Sequence, residues 1–260
     1  MSDATAEDHE LCHYLASGAA ERLAALRHRL FDEGASHRQV ELAGDDLAHQ
    51  WLAAELAAHR PADAVLSEEG HDDRHRLSSR RTWIVDPLDG SSGFGWGSPE
   101  WAVHVALVID GVGVAGAIGF DDFGTLSTGQ PLPPLVTVRE RPVVAVGRTR
   151  TRIDGNPMAR HLEGETLVCS SAGVKAALVI TGQADIYVHS GPLYEWDLCA
   201  PAVVAAKAGL DVVDPTGAPL RFNTSQAIVP GVVISHPDLT QNALDLLRDS
   251  GKGHRRHPTW

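Results

Sequence analysis

Two aspartates three residues apart, Asp86 and Asp89, follow the apolar run Trp83-Ile84-Val85 and precede a turn of small residues, Gly90, Ser91, Ser92 and Gly93. Glu68 and Glu69 close another apolar segment, "DAVLSEEG", and Asp197 opens a third far along the chain, in "EWDLCAP". Carboxylates gathered from separate segments repel one another, and a hard divalent cation relieves the repulsion by accepting oxygen ligands. Mg2+ suits such a set, because it keeps several waters and needs only a few acids plus a phosphate oxygen. The small residues after Asp89 leave backbone N–H groups able to approach phosphate, the more so if a helix starts there.

Each feature also has an ordinary reading. Asp-Pro-Leu-Asp-Gly is most often a turn, a Glu-Glu pair in a loop is usually solvated, and Asp197 would serve as a helix N-cap. Their joint occurrence at the ends of apolar stretches favours a shared site. Other metal sets are poorer: Cys12, Cys169 and Cys199 are scattered, which indicates neither disulfides nor thiolate zinc. The run His71, Asp72, Asp73, His75 reads as a solvated loop.

The elements that must position the acids follow from periodicity. Leu11, Leu15, Leu23, Leu26 and Leu30 mark a helix over 7–31, and Leu47, Trp51, Leu52 and Leu56 mark one over 45–59. Residues 64–66 and 82–86 read as strands, and 102–109 with 112–120 as a hairpin turning at Asp110-Gly111. The proline-rich segment 130–142 reads as a connector. Beyond it come a strand at 143–146, a helix at 172–181, a strand in "ADIYVH" and a helix from Asp197 to Ala208 that stops at Gly209. This interleaving implies layered α and β structure with the acids at strand ends. Two halves are expected to form one compact unit: 1–140 with most metal-binding carboxylates, and 141–260 with substrate contacts and the last acid.

A formal net charge of −12 argues against a general nucleic-acid binder. An acidic chain that handles an anion needs cations between the two. With 43% hydrophobic and 22% charged residues the composition is that of a globular protein, and no apolar run approaches the roughly 20 residues that cross a bilayer. The N-terminus, "MSDATAEDHELCHYLASGAA", lacks the basic start and apolar stretch of a secretory signal, so the expected location is cytoplasmic, with no membrane partner.

"LSEEG", "WIVDPLDGSSGF" and "EWDLCAP", in this order and spacing, resemble the three signature segments of the Mg2+-dependent, lithium-sensitive phosphatase superfamily that includes inositol monophosphatase. "AVLSEEGHDD", "EWAVHVAL" and "SSAGVKAALVITGQADIYVHSGPLYEWDLCAP" are most similar to its CysQ-type 3'(2'),5'-bisphosphate nucleotidases of actinobacterial type. The resemblance implies a layered α-β-α-β-α sandwich and a phosphomonoesterase acting on adenosine 3',5'-bisphosphate or a related 3'-phosphorylated nucleotide. It also implies two or three Mg2+ ions, inhibition by Li+, and a monomer or homodimer. An inositol-phosphate or sugar-phosphate phosphatase, or a non-catalytic sensor of phosphorylated ligands, are the alternatives.

Carried onto this chain, the resemblance assigns one Mg2+ to Glu68, Asp86 and the Leu88 carbonyl, and a second to Asp86, Asp89 and Asp197. Glu69 would lie near a weaker third ion. The amides of Gly90, Ser91 and Ser92 would cradle the scissile phosphate, and Asp45 would pair with the Ser91 hydroxyl to accept a proton from the attacking water, with Asp46 as competitor. Lys175 stands where nucleotidases have lysine and inositol monophosphatases asparagine, which places it near the second phosphate or the ribose; an exposed helix lysine is the plain alternative. Thr149 and Arg150 fall in the segment that binds the rest of the nucleotide, with Arg148 and Arg152 able to do the same, and His189 stands where some nucleotidases have arginine. Two departures bear on the substrate, Ser92-Gly93 in place of a charged pair and His189 in place of arginine; Ser91 also stands where threonine is usual for the water-activating hydroxyl. Trp96 could stack on a base or simply pack.

Overall fold

The computed structural model describes residues 4–72, 74–121, 123–148 and 155–251. Helix α1 (Ala6–Asp32) opens on a capping box in which Thr5 and Asp8 satisfy each other's backbone. Helix α2 (His37–His59) begins eight residues ahead of the expected start at 45, because Ser36 and Gln39 form a second box. The turns ahead of Gly44 bury only Val40, so their periodicity is faint.

The first sheet runs β1 (Ala64–Ser67), β2 (Arg81–Asp89), β3 (Ala102–Ile109), β4 (Val112–Gly119) and β5 (Thr125–Ser127) in sequence order. Only β1 and β2 are parallel. The hairpin β3–β4 turns at Asp110 (φ 51) and Gly111 (φ 78), both left-handed, as a two-residue turn matched to strand twist requires. Between β2 and β3 lies the short helix α3 (Ser91–Gly95).

The second sheet has the order β10-β12-β8-β6-β7, built from β6 (Val143–Val146), β7 (Glu165–Val168), β8 (Ile186–His189), β10 (Asp211–Val213) and β12 (Val232–Ser235). Here β7, β6 and β8 are parallel, so their C-terminal ends share one edge. A ribbon pairs β9 (Leu193–Tyr194) with β11 (Ile228–Val229). Helices α5 (Ala172–Ile180) and α6 (Glu195–Lys207) lie between the sheets, while α4 (Gly155–His161) and α7 (Pro237–Asp249) cover the outer face of the second.

Three apolar seams hold these layers. Trp83, Val85, Val105 and Leu107 face α1 and α2, while Ile84, Ala106 and Ile118 face the other way, onto Leu198, Val204 and Tyr187. Both faces of β2 and β3 are therefore buried, which is why they read as continuous apolar runs. Val144, Ile186 and Val233 meet Met158, Leu239 and Leu247 on the third seam. Burying each such side chain contributes about 1.5–3 kcal/mol. The result is the expected α-β-α-β-α sandwich, with the connector 130–142 free of helix and strand.

Candidate active site

Strand β2 carries Asp86 into the interior, 1% exposed, and ends on Asp89. Pro87 has no N–H to give the ladder, and the pairing with β3 shifts there, from Asp86 opposite His104 to Asp89 opposite Ala102. The Leu88 N–H turns back onto Asp86 Oδ1 at 3.0 Å. Gly90 then reverses the chain at φ 86, where a Cβ would lie 2.7 Å from the Glu100 carbonyl, so only glycine fits. The first hydrogen bond of α3 runs from the Phe94 N–H to the Gly90 carbonyl at 3.0 Å. The N–H groups of Ser91, Ser92 and Gly93 therefore precede the helical ladder and can serve an outside acceptor.

Three other elements bring acids to this turn. The parallel pairing of β1 with β2 sets Ser67 opposite Val85, and the Glu68 N–H reaches the Val85 carbonyl at 3.4 Å. Glu68 and Asp86 thus meet carboxyl to carboxyl in a hydrogen bond. Asp197 is the third residue of α6, whose N-cap is Tyr194, so it is not the cap that its position suggested. Helix α2 closes in at Gly44, where a Cβ would lie 2.8 Å from Phe94 and 2.9 Å from Leu88. That approach places Asp45 within the field of Glu69 and Glu68.

Burial and mutual repulsion dominate the electrostatics. Burial, then the charges of Glu68, Asp89 and Asp197, push the Asp86 carboxyl well above its ordinary range. Asp197 rises to about 7 through burial, Asp89 and Glu68. Burial also raises Glu68, against the hydrogen bond with Asp86, and Glu69 and Asp89 add to it. Asp45 rises to about 7 through burial, Glu69, Glu68 and Glu41, with Arg38 opposing. Among the described residues no three His, Cys, Asp or Glu side chains already stand in a geometry that could hold a metal ion. The donor set, oxygen-rich and short of positive charge, nonetheless fits hard divalent cations.

Asp89 is the most firmly held acid. Its Oδ2 accepts from the Ser171 hydroxyl at 2.5 Å and the Gly173 N–H at 2.8 Å, and Ser171 is also the N-cap of α5, accepting from Val174 at 3.0 Å. The start of α5 thus stabilises the negative charge. His104, wholly buried, donates from Nδ1 to the Trp196 carbonyl at 3.0 Å and turns Nε2 toward Asp89 Oδ2 at 3.5 Å, with no hydrogen-bond partner there. A Cβ on Gly173 would lie 2.2 Å from that nitrogen, so glycine makes the room.

Lys175 is not an exposed helix lysine. It is 5% exposed, donates to the Ser170 carbonyl at 2.8 Å and stands 5.2 Å over the Tyr187 ring. Burial lowers its pKa, while Asp89, Cys169, Asp197 and Glu100 favour its charge. Asp45 and Ser91 come from neighbouring elements, α2 and α3. Asp46 instead accepts from Gln50 on the solvent side of α2, at 2.6 Å. Arg148 is engaged by Glu100 at 2.5 and 3.2 Å, and Glu100 also receives the Ser170 N–H at 3.0 Å. Thr149, Arg150 and Arg152 lie outside the described residues. His189 ends β8, opposite Val232. Trp96, 69% exposed, stacks on His37 at 3.8 Å.

His104, Ser171, Gly173 and Glu100 are therefore parts of the site to which sequence reasoning assigned no role. "EWAVH" and "SSAG" stood out only as similar segments, since partners across a core leave no spacing signal.

The inositol monophosphatase family profile matches residues 10–120 and 120–251. A Mycobacterium leprae protein named 3'-phosphoadenosine 5'-phosphate phosphatase is 36% identical, over 93% of this chain and 94% of its own. The Escherichia coli 3'(2'),5'-bisphosphate nucleotidase CysQ is 30% identical, over 74% of this chain and 84% of its own. Among solved structures, Mycobacterium tuberculosis SuhB superposes with a TM-score of 0.72 at 23% identity, covering 97% of this chain and 100% of that one. With its signature acids drawn together at the ends of three elements, this chain belongs to the inositol monophosphatase family.

Proposed function

We propose that the protein is a Mg2+-dependent phosphomonoesterase that removes the 3'-phosphate of adenosine 3',5'-bisphosphate or a closely related nucleotide. The observation that carries this reading is the mutually repelling set Glu68, Asp86, Asp89 and Asp197, gathered round the buried Asp86 beside a turn whose amides precede the helical ladder of α3. The names of the M. leprae and E. coli relatives support the nucleotide.

Glu68, Asp86, the Leu88 carbonyl, Asp89 and Asp197 would hold the cations, with Glu69 near a weaker position. When bound, Mg2+ would neutralise these acids, polarise the phosphoryl oxygens and lower the pKa of a coordinated water. The N–H groups of Gly90, Ser91 and Ser92 would orient the phosphate. Asp45 and the Ser91 hydroxyl would take the proton from the attacking water. Lys175 would place positive charge toward the nucleotide from the floor of the site, and Thr149, Arg150 and His189 would contact its non-scissile part.

Phosphate release from adenosine 3',5'-bisphosphate, inositol 1-phosphate and fructose 1,6-bisphosphate tests the reading. The bisphosphate should be the preferred substrate, with no release in EDTA and inhibition by Li+. A preference for either other substrate overturns the nucleotide assignment. No metal-dependent release from any phosphate ester overturns the enzyme and leaves a sensor.

A further inference from the structure

Arg76 is 1% exposed, and the reaction outlined above makes no use of it. It lies on the 3-10 turn His75–Ser78, which ends the loop that Glu68 and Glu69 begin. Its guanidinium is divided among three partners. Nε and Nη2 fork onto Asp72 Oδ1 and Oδ2 at 3.0 and 2.8 Å, while Nη1 donates to Asn223 Oδ1 and to the Thr224 carbonyl, each at 2.8 Å. Asn223, held in the left-handed region at φ 57, donates its Nδ2 back to the Arg76 carbonyl at 2.9 Å.

Glu195 grips the same two residues from the other side. It is 0% exposed and accepts from the Asn223 N–H at 2.6 Å, the Thr224 N–H at 2.7 Å and the Thr224 hydroxyl at 2.6 Å. Glu195 is the first residue of α6, two before Asp197. A hydrogen-bonded chain with buried Arg76 and Glu195 thus runs from Asp72 through Arg76, Asn223 and Thr224 to Glu195. It joins the loop of Glu68 and Glu69 to the helix end of Asp197.

Replacing a buried ion pair by apolar packing is often neutral or stabilising, so stability alone does not account for a buried guanidinium and carboxylate at this place. Geometry is what this place needs: Glu69 and Asp89 repel Glu68, and Glu68 and Asp89 repel Asp197.

We propose that Arg76 and Glu195 are positioning residues, a buried rivet that keeps the Glu68–Glu69 loop and Asp197 at a fixed separation and so presets the site for its cations. The proposal rests on the metal-site reading given above. Calorimetric titration with Mg2+, alongside thermal melting, tests both on the full chain. Arg76→Gln and Glu195→Gln should each weaken Mg2+ binding about ten- to a hundredfold, as loss of an outer partner does. The Mg2+ concentration for half-maximal phosphate release should rise by the same factor, with kcat at saturating Mg2+ nearly unchanged. If Arg76→Gln does not fold, Asp72→Asn, at a side chain 31% exposed, decides: it cuts the fork and should weaken binding in the same direction. Folded variants with a lower Tm but wild-type Mg2+ affinity overturn the inference, because the network is then only structural. Asp86→Asn is the control: Mg2+ binding equal to wild type in that variant overturns the metal site itself, and the rivet with it.

Discussion

Asp89 holds two donors, the Ser171 hydroxyl and the Gly173 N–H, on one oxygen. Asparagine can present an oxygen to both while losing the charge and exchanging the second oxygen for an NH2, so Asp89→Asn should fold normally. Its activity should fall by more than the roughly tenfold to hundredfold that loss of an outer partner costs; a well-folded variant with unchanged Mg2+-dependent turnover would remove Asp89 from the metal site. Lys175 is a sharper test of substrate choice. If its ammonium faces the second phosphate, Lys175→Ala raises KM for the bisphosphate far more than for adenosine 3'-monophosphate. An equal loss for both would assign its charge to Asp89 and Asp197, which already favour it. That acids from three segments would gather here was legible because each borders an apolar run. His104, Ser171, Arg76 and Glu195 were not, because a buried polar partner is chosen by a contact from a distant segment that no local pattern announces.

At the scale of elements, Gly44 carries the approach of α2 to the turn that follows Asp89. Its missing side chain is what lets Leu88 and Phe94 come within contact. Gly44→Val should push α2 outward, destabilise the fold by about 1–3 kcal/mol as overpacking does, and lower kcat through displaced Asp45. Denaturant unfolding and steady-state kinetics on the same variant check both effects, and a loss of stability without loss of kcat would detach Asp45 from the reaction. The hairpin β3–β4 was fully legible, since Asp110-Gly111 between two apolar runs specifies a left-handed turn. The true start of α2 and the two extra residues at the head of α6 were not. The first turns of α2 bury little and rest on a capping box, a weaker signal than a leucine stripe, and the head of α6 buries a glutamate, which no apolar periodicity marks.

For the whole molecule, Asp8 ties the helical layer to the first sheet. Its side chain, 2% exposed, receives Arg81 from β2 at 2.8 Å and Arg60 from beyond α2 at 3.1 Å. Burial raises its pKa, but hydrogen bonds from Arg81, the Thr5 N–H and Arg60 outweigh burial and hold it at about 2, against 3.8 in an unfolded chain. A carboxyl with a depressed folded value contributes stability above the unfolded pKa and loses it as pH falls through the folded one. Asp8 therefore contributes about 2 kcal/mol at neutral pH, lost between about pH 4 and 2. Urea unfolding of Asp8→Asn should show that deficit at pH 7 and almost none near pH 2; a constant deficit would contradict the assignment. That the chain is layered was legible from the alternation of strands and helices and its five-layer order from the family resemblance, whereas the strand order of the second sheet was not, because β10 and β12 pair across intervening chain.

The central claim is that acids from β1, β2 and α6 form one cation site. Crystals of the protein grown with Mn2+ and measured for anomalous scattering test it most directly. The account predicts anomalous peaks ligated by Asp86 together with Glu68, Asp89 or Asp197, and their loss in Asp86→Asn. Mn2+ bound only elsewhere, with these four acids unligated, would contradict it.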